Sequence, residues 1–342
     1  MAFLDELNTS TRIHIVPGLI DQYGKNDPFF AYLKKNNFER FPGGTQIQEN
    51  FVYDYLAGAA YSKGSTFNID SKQTETGGTF FVKHYYTNVT LFKEDIQIFN
   101  KGPEAVFKLV DAKMQNAGLS MSARLAIAAY NEGQSASRSL ELNGLAEALN
   151  DGTNNSWTGA AYSTYGTLSR SSTGGNRLVA PMTSPTASVS GPITYKILEE
   201  AYNSVVIGDE YPNLMVTTNL GMSYIKEKFQ PQWRTETQDP AIGFNGLKFN
   251  SAMVIQSQYA PGTAGVNDAN LGNYLASAGE TLFYLNTKYW RLWVTDDPEF
   301  GLGFSGFKPA QDSTTVAGQH FFAGNITCQA PRLNRHLFAI TG

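Results

Sequence analysis

Apolar and polar residues alternate with a period of two near the start of the chain. Ile47, Phe51, Tyr53 and Tyr55 alternate there with Gln48, Asn50 and Asp54. This pattern predicts a strand from Ile47 to Tyr55. A return strand is predicted from Phe80 to Phe99, bent near Thr87-Asn88. Between them, Ala57–Thr79 is rich in Gly, Ser and Thr, with only Tyr61, Phe67 and Ile69 as sizeable apolar residues. A two-stranded ribbon with so little to bury is marginal alone in water. Its partner surface is expected on another copy of the chain.

The period then changes from two to between three and four. Pro103 and Glu104 suit a helix start. Val106, Val110, Met114, Ala117, Met121, Leu125 and Ala128 form a stripe, and Asn131 and Gly133 end it. Unbroken, this helix is about 42 Å long at about 1.5 Å per residue. Gly118 opposes continuity by about 1 kcal/mol.

Residues 1–42 read as an arm, with one or two helical turns at Phe29–Leu33. Asn150–Pro192 is dense in Gly, Ser, Thr, Asn and Pro, yet Trp157, Tyr162, Tyr165, Leu178 and Met182 recur through it. A pure linker lacks such residues, so an ordered long loop is expected. Pro192 opens a helix whose apolar stripe is Ile193, Ile197, Leu198, Ala201, Tyr202 and Val205. A short buried strand (Leu214–Thr218), a helix (Leu220–Phe229) and strands at Leu247–Ile255 and Leu282–Val294 follow. The tail, Gln319–Gln329 and His336–Ile340, reads as strand interrupted at Pro331. Helices and strands mix without a β-α-β rhythm, which predicts an α+β class.

The order of these segments resembles the major capsid proteins of tailed bacteriophages, the Hong Kong 97-type fold. Val16–Asp21 and Pro28–Lys34 look like that family's N-terminal arm, running into Gly43-Gly44-Thr45. After the long helix, Tyr165–Arg170, Pro212–Asn219, Gly243–Phe249 and Leu282–Thr287 follow in the family's order. The resemblance implies an N-terminal arm (1–42), an extended β-ribbon loop (43–99) and a peripheral domain with a spine helix (100–138). It also implies an axial domain (139–282) and return strands of the peripheral domain (283–342). Expected partners are further copies, in hexamers and pentamers of an icosahedral virion shell assembled in a host bacterial cytoplasm. Scaffolding, portal and decoration proteins are possible further partners. No scaffolding segment is expected within the chain, because the arm is short and Met1 is present. Phe29, Phe30, Tyr61, Lys63, Phe67, Lys72, Phe321 and Phe322 are the candidate subunit-contact residues. Some relatives join subunits by an isopeptide between a loop lysine and a neighbour's asparagine. Lys63 and Lys72 lie in the corresponding loop, but no matching asparagine or assisting carboxylate is identifiable, so the link is not carried over.

Composition narrows the picture further. The 342 residues include 26 Lys+Arg against 30 Asp+Glu, a net charge of -4. A chain built to grip nucleic acid is normally basic. This one can enclose double-stranded DNA with weak, non-specific contact only. Hydrophobic residues make up 42%, enough for real cores. Cys328 is the single cysteine, which excludes an intrachain disulfide and a cysteine zinc cluster. No signal peptide and no membrane span are legible.

Motifs that carry chemistry are sparse. Gly301–Gly306 matches G-x-G-x-x-G, but the dinucleotide reading needs a strand directly before and a helix directly after. Phe307-Lys308-Pro309 follows instead. His14, His84, His320 and His336 are scattered, with no metal-ligand spacing. No G-x-S-x-G elbow exists. Lys34-Lys35 and Arg332, Arg335 and His336 lack interleaved aromatics and read as surface. The expectation is therefore a structural protein without catalytic, cofactor or metal sites. Two alternatives are an encapsulin-like compartment of the same fold and a nucleotide-dependent enzyme using the Gly301–Gly306 turn.

Overall fold

A computed structural model describes residues 27–52, 54–56, 58–67, 69–94, 103–134, 138–152, 161–170, 178–180, 182–183, 191–229, 237–238, 245–263, 267–268, 272–273, 279–298, 300–309 and 314–342. Asp27 caps helix α1 (Pro28–Asn36): its carboxyl accepts from the Phe30 N–H at 2.9 Å, and Pro28 occupies the first turn. Strands β1 (Phe38–Phe41), β2 (Gln46–Val52), β3 (Glu75–Phe81) and β4 (Lys83–Phe92) follow, then helix α2 (Pro103–Ala128). At 26 residues, α2 is about 39 Å long. It runs unbroken through Gly118. Ala117, Met121 and Leu125, spaced by four, bury its second half.

Three strand expectations shift. The first strand ends at Val52 and not Tyr55. The return breaks at Val82, whose N–H donates to the Thr45 carbonyl at 3.1 Å, while β4 passes unbroken through Thr87-Asn88. Residues 95–99 of the expected return strand, the Val16–Asp21 motif and Trp157 lie outside the described residues.

The second half supplies α3 (Tyr195–Asn203), β5 (Leu214–Thr217), α4 (Asn219–Phe229), β6 (Asn245–Phe249), β7 (Ala252–Gln256) and β8 (Glu280–Leu285). It continues with β9 (Trp290–Thr295), β10 (Gly301–Phe304), β11 (Thr315–Cys328) and β12 (Arg335–Thr341). The run Leu247–Ile255 is a hairpin, because Asn250 takes a left-handed φ of 50° and folds β6 back on β7. The run Leu282–Val294 is also two strands. Asn286 caps a 3₁₀ turn at Thr287–Tyr289, which sends β8 and β9 into different sheets.

One sheet has the order β6-β7-β5-β8-β12 with short strands beyond each end. All six residues of β8 are buried, as a central strand covered on both faces requires. Met215, Leu282, Tyr284 and Leu337 face a core with α3 and α4. Leu214, Val216, Phe283 and Leu285 face the larger core with α1 and the end of α2. The other sheet has the order β1-β9-β11-β10, and β4 joins it along Thr315–Gly324 of β11. Among the described residues, the ribbon β2–β3 forms no ladder with either sheet.

Candidate functional site

The ribbon has a docked base and a projecting end. Strands β2 and β3 pair antiparallel from Gln46↔Phe81 to Val52↔Glu75. Ile47, Glu49 and Phe51 point inward on β2, while Gln46, Gln48, Asn50 and Val52 are exposed. Phe51 and Phe80 meet Tyr165 edge-on, at 6.3 and 5.1 Å between ring centroids. Tyr165 belongs to the tight hairpin Thr164–Ser169. A Cβ at Gly78 would lie 2.5 Å from the Phe51 ring, so only glycine admits this approach. The neighbouring Thr79 N–H donates to the Gly166 carbonyl at 2.8 Å.

Glu49 is the buried polar residue of this base, 3% exposed. One carboxyl oxygen accepts from the Trp293 indole N–H at 2.7 Å and the Thr327 hydroxyl at 2.8 Å. The other accepts from the Gln329 amide at 2.6 Å. Trp293 lies on β9, Thr327 on β11 and Gln329 just beyond it. Sequence reasoning missed Glu49. Its signal was available: a carboxylate at the inward phase of a period-two strand, between Ile47 and Phe51.

Between Val52 and Glu75 none of the described residues is in a helix or strand, and the described large apolar side chains stand in water. Leu56, Tyr61 and Phe67 are exposed, and Ile69 is 91% exposed. Tyr61 and Phe67 touch only edge-on, at 5.1 Å. Local contacts shape the excursion: the Ser62 and Ser65 hydroxyls lie 2.9 Å apart, and Lys72 pairs with Asp54 at 2.7 Å. Exposed ion pairs of this kind contribute about 0–1 kcal/mol.

The eight candidate contact residues therefore divide. Tyr61, Lys63, Phe67 and Lys72 sit on the projecting loop. Phe321 is half-buried and stacks on Phe300 at 4.9 Å. Phe29 and Phe322 are 0% exposed and Phe30 is buried. Their expected role as subunit-contact anchors is corrected, because their rings fill this chain's own core. Phe29 packs edge-on to Trp290 at 5.3 Å, and Phe322 lies 6.1 Å from Tyr85. The alternation of strand and turn residues announces burial but not which body provides it.

The buried polar groups organise the interior. Glu147, in the helical turn Leu145–Ala148, accepts from the Asn143 amide at 2.6 Å and the Gly133 N–H at 3.2 Å. Asn143 is joined in turn to Asn325 of β11. Burial pushes the Glu147 carboxyl up to about 7. Burial pushes His336 down to about 3 and the Cys328 thiol upward. Among the described residues, no group of three or more His, Cys, Asp or Glu is placed to hold a metal ion. The G-x-G-x-x-G match is a sheet edge: Gly301 and Phe304 pair with Phe322 and His320 of β11, and Lys308–Pro309 pairs with it next. Among the described residues the turn is followed by the strand Lys308–Pro309 and not by a helix, which is not the context that the dinucleotide reading requires. Among the described residues, no helix is long and apolar enough to cross a membrane.

No family model and no curated protein sequence matches the chain. Solved structures do. The chain superposes on a chain of the cyanophage A-1(L) capsid asymmetric unit with a TM-score of 0.70, at 11% identity, over 96% of this chain and 97% of that one. A capsid chain of a native GTA particle gives 0.59 at 6% identity, over 98% and 99%. The holo-SrpI encapsulin complex of Synechococcus elongatus PCC 7942 gives 0.58 at 9% identity, over 98% and 95%. The fold is thus the Hong Kong 97-type capsid fold across nearly the whole chain.

Proposed function

We propose that this chain is the major capsid protein of a tailed bacteriophage, a structural and non-enzymatic subunit. Its copies assemble through hexamers and pentamers into the icosahedral shell of the virion. One observation carries the reading: a ribbon on a capsid fold projects Leu56, Tyr61, Phe67 and Ile69 into water. Four large apolar side chains on an unsupported loop are a lasting cost for a monomer. A neighbouring copy that covers them turns that cost into association energy, and symmetry repeats the gain at every copy. In this reading residues 1–42 are the arm, 43–99 the extended loop, 100–138 the spine-helix segment, 139–282 the axial domain and 283–342 the return strands. The shell encloses double-stranded DNA with weak, non-specific contact, in keeping with a net charge of -4 that offers no general attraction for phosphate. Assembly takes place in the bacterial cytoplasm, where scaffolding, portal and decoration proteins are the further partners.

Limited proteolysis tests the reading. The segment 53–74 is cut rapidly in dissociated subunits and protected in particles. Equal cutting in both states contradicts it. The encapsulin likeness supports a second reading, a compartment of the same fold with a protein cargo. Particles that carry a co-purifying protein and no DNA favour it.

A further inference from the structure

The base of the ribbon is held by contacts of two kinds. Phe51 and Phe80 against Tyr165 form an apolar contact, which tolerates sliding and tilting because dispersion and burial are weakly directional. Glu49 forms a directed one. Its two carboxyl oxygens take hydrogen bonds from Trp293, Thr327 and Gln329, at 2.7, 2.8 and 2.6 Å. The indole of Trp293 also lies 3.1 Å from the Thr327 hydroxyl, so the donors are tied to one another. They are spread along the β9–β11 pair: Trp293 is opposite Asn325, Arg291 is opposite Thr327, and Gln329 lies just past Cys328.

Only one placement of β2 satisfies this set. A slip of one residue would bring Gln48 or Asn50 inward and turn Glu49 to solvent. A tilt of the ribbon would separate the carboxyl from the indole and leave polar groups in the interior without partners, the expensive outcome for such groups. Elsewhere the ribbon joins the body through the Thr79 N–H, which donates to the Gly166 carbonyl at 2.8 Å, and the Phe81 carbonyl, which accepts from the Asn325 amide at 2.7 Å. The loop that it carries lies beyond Val52 and Glu75, so a small tilt at Glu49 is magnified at the tip.

We infer that Glu49 is the positioning residue of the extended loop: its buried three-donor clamp fixes the direction in which the ribbon leaves the subunit, and with it the angle at which a neighbouring copy is met. The consequence for assembly rests on the shell reading above; the clamp itself does not.

The test compares Glu49→Ala and Glu49→Gln with the wild-type chain, by amide hydrogen exchange in dissociated subunits and by particle diameter in electron micrographs. In Glu49→Ala, exchange across 46–52 and 75–81 rises about ten-fold or more, while the amides of β8 and β12 keep their protection. The diameters spread into several classes. Glu49→Gln keeps an oxygen for Trp293 and Thr327, and the Gln329 amide can turn to accept from the new one, so it restores most of both properties. Unchanged ribbon exchange in Glu49→Ala overturns the inference. So does an equal rise throughout the chain, which marks a merely structural residue, and so does a loosened ribbon with wild-type diameters. If Glu49→Ala does not fold, Gln329→Ala and Trp293→Phe each remove one donor and are read in the same way. Wild-type chain that forms no particles contradicts the shell reading, while the exchange comparison still decides the clamp.

Discussion

The phenol of Tyr130, just past the spine helix α2, donates to the carboxyl of Asp27 at 2.7 Å across 103 residues of sequence. The same carboxyl caps α1 through Phe30 and accepts from the Ser257 hydroxyl beyond β7. One side chain thus joins the arm, the spine-helix end and the larger sheet. Asp27→Ala removes a cap and strands two buried hydroxyls, so it costs about 3 kcal/mol in denaturant unfolding. Tyr130→Phe removes one bond only and costs about 1 kcal/mol. Equal costs would show that Asp27 acts through Tyr130 alone.

Burial separates the large apolar residues into two mutational classes. Phe29→Ala and Phe322→Ala open cavities in the subunit core and destabilise it by about 3–5 kcal/mol. Phe67→Ala and Ile69→Ser change subunit stability by no more than about 0.5 kcal/mol, as exposed sites do. The loop variants instead raise the concentration at which particles form. Thermal unfolding of subunits and light scattering of assembly measure the two effects, and a large stability loss from the loop variants would refute the division.

Glu147 gives stability a pH dependence of known sign. Its folded value is about 7 and its ordinary value 4.5. Between these the folded chain keeps a proton that the unfolded chain sheds, so the Glu147 contribution is full below 4.5 and is lost as pH rises through 7. Across that window it amounts to roughly 3 kcal/mol. His336 acts oppositely, since burial lowers it from 6.5 to about 3 and its contribution falls on acidification. Glu147→Gln therefore gains stability relative to wild type as pH goes from 4.5 to 7.5. Urea midpoints at several pH values show this, and a constant difference would mean that Glu147 does not titrate in the window.

Covalent linkage is not expected to hold the particles together. Lys72 is engaged with Asp54 within its own loop, and Cys328 is buried. Boiled particles run as one band near the chain mass of 37.5 kDa. A ladder that survives reductant would direct attention to Lys63 and Lys72.

Much of this architecture was legible because its signals are local. The spacing of Ala117, Met121 and Leu125 announces α2, and alternation around Ile47 and Phe51 announces β2. The Leu282–Val294 run was misread as one strand because Asn286, a single capping residue, redirects the chain between two sheets. Phe29 and Phe322 were misplaced for a different reason. An apolar ring declares that it will be buried, but whether its own fold or a neighbour buries it is set by contacts far apart in sequence, such as Phe29 with Trp290. Glu49 escaped notice because its three partners lie more than 240 residues away.

The central claim is that the chain builds closed shells from one kind of subunit, with the Val52–Glu75 excursion covered by a neighbour. Electron microscopy of the purified protein tests it most directly. The account predicts closed particles in whose reconstruction Tyr61, Phe67 and Ile69 rest against an adjacent copy. Monodisperse single subunits at every salt and protein concentration, or shells in which that loop stands free of its neighbours, would contradict it.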